Sequence, residues 1–160
     1  MVFAVCSADM GPASAREHND MSLPDGDSLF IRTYFADDAA WAQTLDAALQ
    51  PSDLGDGILA YADITPVDDR RFEGLTVAKL ESIVPAPPPY YLFLVDKRTL
   101  TDPERPILVV DTSRGYTDFF QTFRVVPSQM SAVENNLSLS NMDFEDFSFN
   151  VDADGVFRGF

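Results

Sequence analysis

Two apolar runs end in the same way, Leu94-Val95-Asp96 and Val109-Val110-Asp111, and the second continues into Thr112-Ser113. In open α/β sheets, ligands bind outside the carboxyl ends of the strands. If these two strands are parallel neighbours, their carboxylates meet there. With Thr112 and Ser113 they would offer the oxygen ligands that Mg²⁺ takes, and a place for a phosphate. Two carboxylates so placed also shift each other's pKa and divide the roles of acid and base. The competing reading gives each Asp a local task, starting a turn or capping the next segment.

Further residues qualify by type. Arg32 and Arg124 each interrupt an apolar strand, and a buried guanidinium needs a carboxylate or an anionic ligand. An internal ion pair with one of the many aspartates is expected for both. Asn135 and Asn136, with Ser138, Ser140 and Asn141, form a polar cluster between two short helical segments. Amides there would orient a ligand, or else cap helices and bond exposed backbone.

Asn150-Val151-Asp152-Ala153-Asp154-Gly155 spells the first half of an EF-hand loop. Such a loop needs a ligand at position 9 and a bidentate Glu at position 12. Position 9 is Arg158 and position 12 falls beyond Phe160. The stretch is expected to be a turn before a last short strand, not a calcium site, so no metal is assigned.

Other chemistries are excluded by what is missing. No G-x-G-x-x-G follows a strand, and there is no G-K-[ST] and no G-x-S-x-G. The single histidine, His18, leaves no basis for Ser-His-Asp or Cys-His catalysis. The balance favours a non-enzymatic domain. The expected cofactor is none, with Mg²⁺ entering only through the Asp96/Asp111 alternative.

The elements that must position these residues are legible in outline. Residues 28–35 read as a first strand, and Asp37 as the cap of a helix whose Trp41, Leu45, Ala48 and Leu49 share one face. Residues 58–64 read as a second strand and residues 75–84 as a second helix, stopped by the prolines of residues 85–89. These prolines contain P-x-x-P but read as a stiff connector, because an apolar strand follows at once. Residues 90–95 and 107–110 read as central strands, since both are continuously apolar. Residues 102–106 read as a turn or one helical turn, and Arg114-Gly115-Tyr116 as a turn. Residues 119–126 read as a strand antiparallel to 107–110.

Ser128 is expected to cap a short helix, with Ser131 to Glu134 as a capping box, and Ser140 to Asp143 repeats that signature before a helix carrying Phe144, Phe147 and Val151. Val156-Phe157 reads as an edge strand. The fold class is therefore α/β: a mixed, partly parallel sheet of about five strands flanked by helices. Its order resembles thioredoxin-like or other Rossmann-like topology with a strand added, without a C-x-x-C. Residues 1–26 read as a flexible N-terminal extension and residues 27–160 as a single domain.

Four stretches carry a resemblance: RTYFADDAAW (residues 32–41), FRVVP (123–127), ENNLSLSNMDFEDF (134–147) and DGVFRGF (154–160). Together they resemble a family of bacterial domains of unknown function. The resemblance implies an independent domain over about residues 28–160 that includes the terminal Phe-Arg-Gly-Phe. It brings no activity or ligand with it.

Charge narrows the partners. The 160 residues carry a net charge of −15, from 26 acidic and 11 basic side chains. Such a surface repels phosphate backbones and anionic headgroups, so no nucleic acid and no membrane is expected. A basic protein partner is compatible with it. The longest apolar run is too short to span a bilayer, the first residues make a poor signal peptide, and the lone Cys6 excludes an internal disulfide. A reducing cytoplasm fits. The oligomeric state is not written in the sequence.

Overall fold

In a computed structural model the described residues are 21–113 and 119–160. Strand β1 (Leu29–Arg32) is followed by helix α1 (Asp38–Ala48). A two-residue hairpin, β2 (Ser52–Asp53) with β3 (Leu59–Ala60), precedes β4 (Thr65–Val67). Helix α2 (Val77–Leu80) leads to β5 (Tyr91–Val95), α3 (Lys97–Thr101), β6 (Ile107–Asp111) and β7 (Thr122–Val125). Helices α4 (Met130–Ser138) and α5 (Phe144–Ser148) and strand β8 (Val156–Phe157) complete the chain.

The main sheet has six strands in the order β4-β1-β5-β6-β7-β8. β1 is parallel to both β4 and β5, β5–β6 and β6–β7 are antiparallel, and β8 is parallel to β7. The sheet is mixed and partly parallel, as its composition implied. β5 and β6 are central and buried along their whole lengths or nearly so.

Side chains of a strand alternate between faces, and the two cores follow that rule. Phe30, Tyr91, Phe93, Val95 and Val109 meet Trp41 of α1, Val133 of α4 and Phe147 of α5 on one face. Leu29, Ile31, Leu92, Leu94 and Val110 meet Phe72, Leu75 and Leu80 on the other. The β1–β4 crossover thus runs over the first face and the β4–β5 crossover over the second. Strands β4-β1-β5 are a doubly wound segment, the Rossmann-like part of the fold, with its switch point at β1. Met21 and Leu23 pack against the second core.

Several boundaries differ from the sequence reading. The second strand of the sheet is β4, not residues 58–64, which hold only β3. β4 contains Pro66, which cannot donate to a ladder, and its place at the sheet edge makes that harmless. The helix expected over residues 75–84 is the single turn α2. Thr76 caps it, and Ser82 Oγ donates to the Lys79 carbonyl at 2.7 Å, competing with further helix. Helix α3 falls where no helix was expected.

Ser128 lies in a 3₁₀ turn (Pro127–Gln129) and caps nothing with its side chain. Ser131 and Glu134 sit inside α4, so they form no capping box, and Asn135 and Asn136 belong to that helix, not to a connection. The cap signature at residues 140–143 acts three residues later: the Asp146 carboxylate accepts the Asp143 amide at 2.8 Å, and α5 ends before Val151. The expected turn at Arg114-Gly115-Tyr116, together with Cys6 and His18, lies outside the described residues.

Candidate functional site

The antiparallel pairing of β5 and β6 decides the first question. Tyr91, not Asp96, stands opposite Asp111. Asp96 lies five residues farther along, roughly 16 Å at strand rise. The two carboxylates are at opposite ends of the sheet and share no site. The expectation of a joint Mg²⁺ cluster at the carboxyl ends of these strands is therefore not met.

Each aspartate has local work. Asp96 caps α3, accepting the Thr99 amide at 3.0 Å. It also receives Arg124 Nη2 at 2.5 Å and Nη1 at 3.1 Å. Burial raises its pKa, but the Arg124 and Thr99 hydrogen bonds outweigh that and hold the carboxyl below its ordinary value. Asp111 accepts the Ser113 amide at 2.8 Å and the Ser113 hydroxyl at 2.6 Å, closing its own turn. Thr112 Oγ1 donates to the Pro89 carbonyl.

At the end of β1, where an α/β sheet offers its ligand site, a cavity of about 330 Å³ is lined by Arg32, Phe35, Asp38, Trp41, Asp68 and Arg70, and the donors of Arg32 are spent within the protein. Arg32 is 3% exposed. Its Nη2 meets Asp38 at 2.6 Å, its Nη1 Asp68 at 3.2 Å, and its Nε donates to the Tyr34 carbonyl at 3.1 Å. Its Cζ lies 4.4 Å from the Phe35 ring centroid and 5.6 Å from that of Trp41. Both strand arginines thus have aspartate partners. The amides of Asn135 and Asn136 are spent on backbone: Asn135 Nδ2 donates to Tyr61 O at 3.0 Å and Asn136 Nδ2 to Ala132 O at 2.8 Å. The turn at Asp152–Gly155 is closed by backbone bonds, and Arg158 occupies its carboxylates, at 2.7 Å from Asp152 and 2.9 Å from Asp154.

The opposite end of the sheet holds an arrangement that the sequence reading missed. Ser28 precedes β1, Tyr91 opens β5, and Glu134 projects from α4 at 2% exposure. Ser28 Oγ donates to Glu134 Oε1 at 2.7 Å. Its own proton so committed, it accepts from the Tyr91 hydroxyl at 2.9 Å. Glu134 Oε2 accepts the Asp63 amide at 3.0 Å. Ser28 has φ +47°, a conformation that costs a non-glycine residue about 1 kcal/mol and turns its hydroxyl inward. Burial pushes the Tyr91 hydroxyl above its ordinary pKa, and the Glu134 charge adds to this.

Two adjoining cavities, of about 550 and 310 Å³, open over this triad and share Tyr90, Tyr91, Leu137 and Ser140. Asp27, Asp63 and Glu134 line the larger, and Asp111, Asp143 and Glu145 the smaller. Among the described residues no lysine, arginine or histidine lines either. The cleft is an acceptor surface with negative potential, floored by a buried carboxylate that has hydrogen-bond donors but, among the described residues, no cation. Among the described residues no group of three or more His, Cys, Asp or Glu side chains is arranged to hold a metal ion. A signal for Glu134 was present: it shares a helical stripe with Met130, Val133 and Leu137, and an acid on an apolar stripe needs a reason.

Comparison with known proteins agrees with the resemblance in its coarse form. A family model described as a domain of unknown function (DUF6924) matches residues 27–160, and the chain belongs to that family. No curated protein and no solved structure matches it.

Proposed function

We propose that this DUF6924 member is a non-enzymatic interaction domain of the bacterial cytoplasm, and that its acidic cleft receives a lysine or arginine side chain from a basic protein partner. One observation carries the reading: six carboxylates line two joined cavities, and no basic side chain among the described residues lines them. An ammonium 4 Å from one carboxylate gains about 4 kcal/mol at an effective dielectric constant near 20, against about 1 kcal/mol in open water. Seating it in a cleft over buried Glu134 therefore matters more than contact with the general acidic surface.

The rest is consistent with this. A net charge of −15 disfavours nucleic acid and anionic lipid as partners. No helix among the described residues is long and apolar enough to cross a membrane. The single cysteine in the sequence suits a reducing compartment. The cavities at Arg32 and at Arg105 and Arg158 already hold arginines, which leaves the acidic cleft as the concave site suited to a cation.

Calorimetry with a short oligo-arginine peptide tests the proposal. Binding is expected to weaken as salt rises and to fall about tenfold or more in Glu134→Gln with Asp63→Asn. Equal affinity in wild type and variant, or no binding at low salt, would overturn it.

A further inference from the structure

The hairpin β2–β3 leads directly into Asp63, which lines the larger acidic cavity, and it gathers four exposed apolar side chains within eight residues. Its two strands pair over only two residues each, Ser52↔Ala60 and Asp53↔Leu59. Leu54 and Ile58 extend the ladder by one bond, Leu54 N to Ile58 O at 2.8 Å. Side chains opposite one another in a ladder share a face. Leu54 and Ile58 therefore lie on one face of the hairpin, and Leu59 and Tyr61 on the other. These four are 66%, 60%, 49% and 56% exposed. A two-stranded hairpin is marginal in water by itself, and here both faces present apolar side chains to solvent.

The hairpin is tied to the cleft. Asn135 Nδ2 holds the Tyr61 carbonyl, and the Asp63 amide holds Glu134, so the chain leaving β3 forms the cleft wall. Leu139, 68% exposed, lines the larger cavity. The apolar hairpin and the acidic cleft are thus joined through α4. Charge selects the occupant. A second copy would bring another −15 charge to this face, with exposed Asp53 and Asp56 of the hairpin opposing their own kind.

We infer that the hairpin at residues 52–61 is the apolar half of the interface, and that the partner presents an amphipathic basic segment, with cations for the cleft and aliphatic side chains for Leu54, Ile58, Leu59 and Tyr61. The inference rests on the cleft reading and adds the partner's apolar face to it.

The test uses two synthetic peptides of equal length and equal lysine content. One carries leucine at helical i, i+3, i+4 and i+7 positions; the other carries glutamine there. The leucine peptide is expected to bind the full chain on the order of tenfold more tightly. Serine at all four positions (Leu54→Ser, Ile58→Ser, Leu59→Ser and Tyr61→Ser) should abolish that preference and leave binding of the glutamine peptide unchanged, while Glu134→Gln should weaken both peptides. The serine positions are exposed, so the melting temperature should hold.

Equal affinity of the two peptides, or a preference that survives the serine variant, overturns the hairpin and leaves the cleft standing. Failure of both peptides to bind overturns both. Sedimentation as a dimer by the wild type, but not by the serine variant, assigns the face to a second copy and overturns the basic partner.

Discussion

Arg124 of β7 grips Asp96 through both terminal nitrogens, at 2.5 and 3.1 Å, and its Nη1 also bonds the Pro106 carbonyl at 2.8 Å. One guanidinium thus ties the end of β5, the start of α3 and the approach to β6. Asp96→Asn keeps a capping side chain but loses the charge, whereas Asp96→Ala loses both. Urea denaturation should show a cost of about 1–2 kcal/mol for Asn and roughly 1 kcal/mol more for Ala.

The same geometry separates Asp96 from Asp111. Mg²⁺ should therefore raise the melting temperature no more in wild type than in Asp96→Asn or Asp111→Asn. A shift present in wild type and lost in both variants would restore a shared metal site.

Arg32 is held by shape as well as charge. Its guanidinium carbon lies over the Phe35 ring, 4.4 Å from the centroid, while the group bonds Asp38, Asp68 and Tyr34 O. A lysine supplies a point charge without the planar fork. Arg32→Lys should cost about 2 kcal/mol in a denaturation experiment. Trp41, the only tryptophan of the chain, lies 5.6 Å from Arg32, so its emission should change with the substitution.

Acid sensitivity should trace to the C-terminal turn. Hydrogen bonding by Arg158 lowers the Asp154 pKa from 3.8 to about 2. A carboxyl with a depressed folded-state pKa binds protons more readily when unfolded. Its stabilising contribution is therefore complete above pH 3.8 and fades as pH falls towards 2. The Asp96 carboxyl is lowered in the same direction. The urea midpoint of Arg158→Gln should fall less steeply over this interval than that of wild type, because the pair is already absent.

Much of this was readable from side-chain pattern. The Asp37 cap, the β5 and β6 runs and the antiparallel return of β7 follow from local composition, because one-sided or complete burial writes itself into sequence. The arginines were readable too, since a guanidinium in an apolar strand has few places to go. The direction of β6 was missed, although a clue existed: residues 96–106 are fewer than the dozen or so that a parallel crossover needs. β4 was hidden by Pro66, which only its edge position permits. The Ser28–Tyr91–Glu134 triad joins residues 63 and 106 positions apart, and no local pattern encodes such a meeting. Only Glu134's place on an apolar stripe hinted at it.

The sheet's two borders bear on how the protein behaves when crowded. An open edge strand is a template on which another chain adds a strand, the first step towards fibrils. At one border β4 is three residues long and carries Pro66, which has no N–H to offer. At the other β8 has two residues, followed at once by Arg158 with Glu104, Asp152 and Asp154 around it. Neither border offers a flat row of free amides. A chain in which 46% of the residues are hydrophobic thereby keeps its most sheet-prone segments, β5 and β6, out of reach of its neighbours.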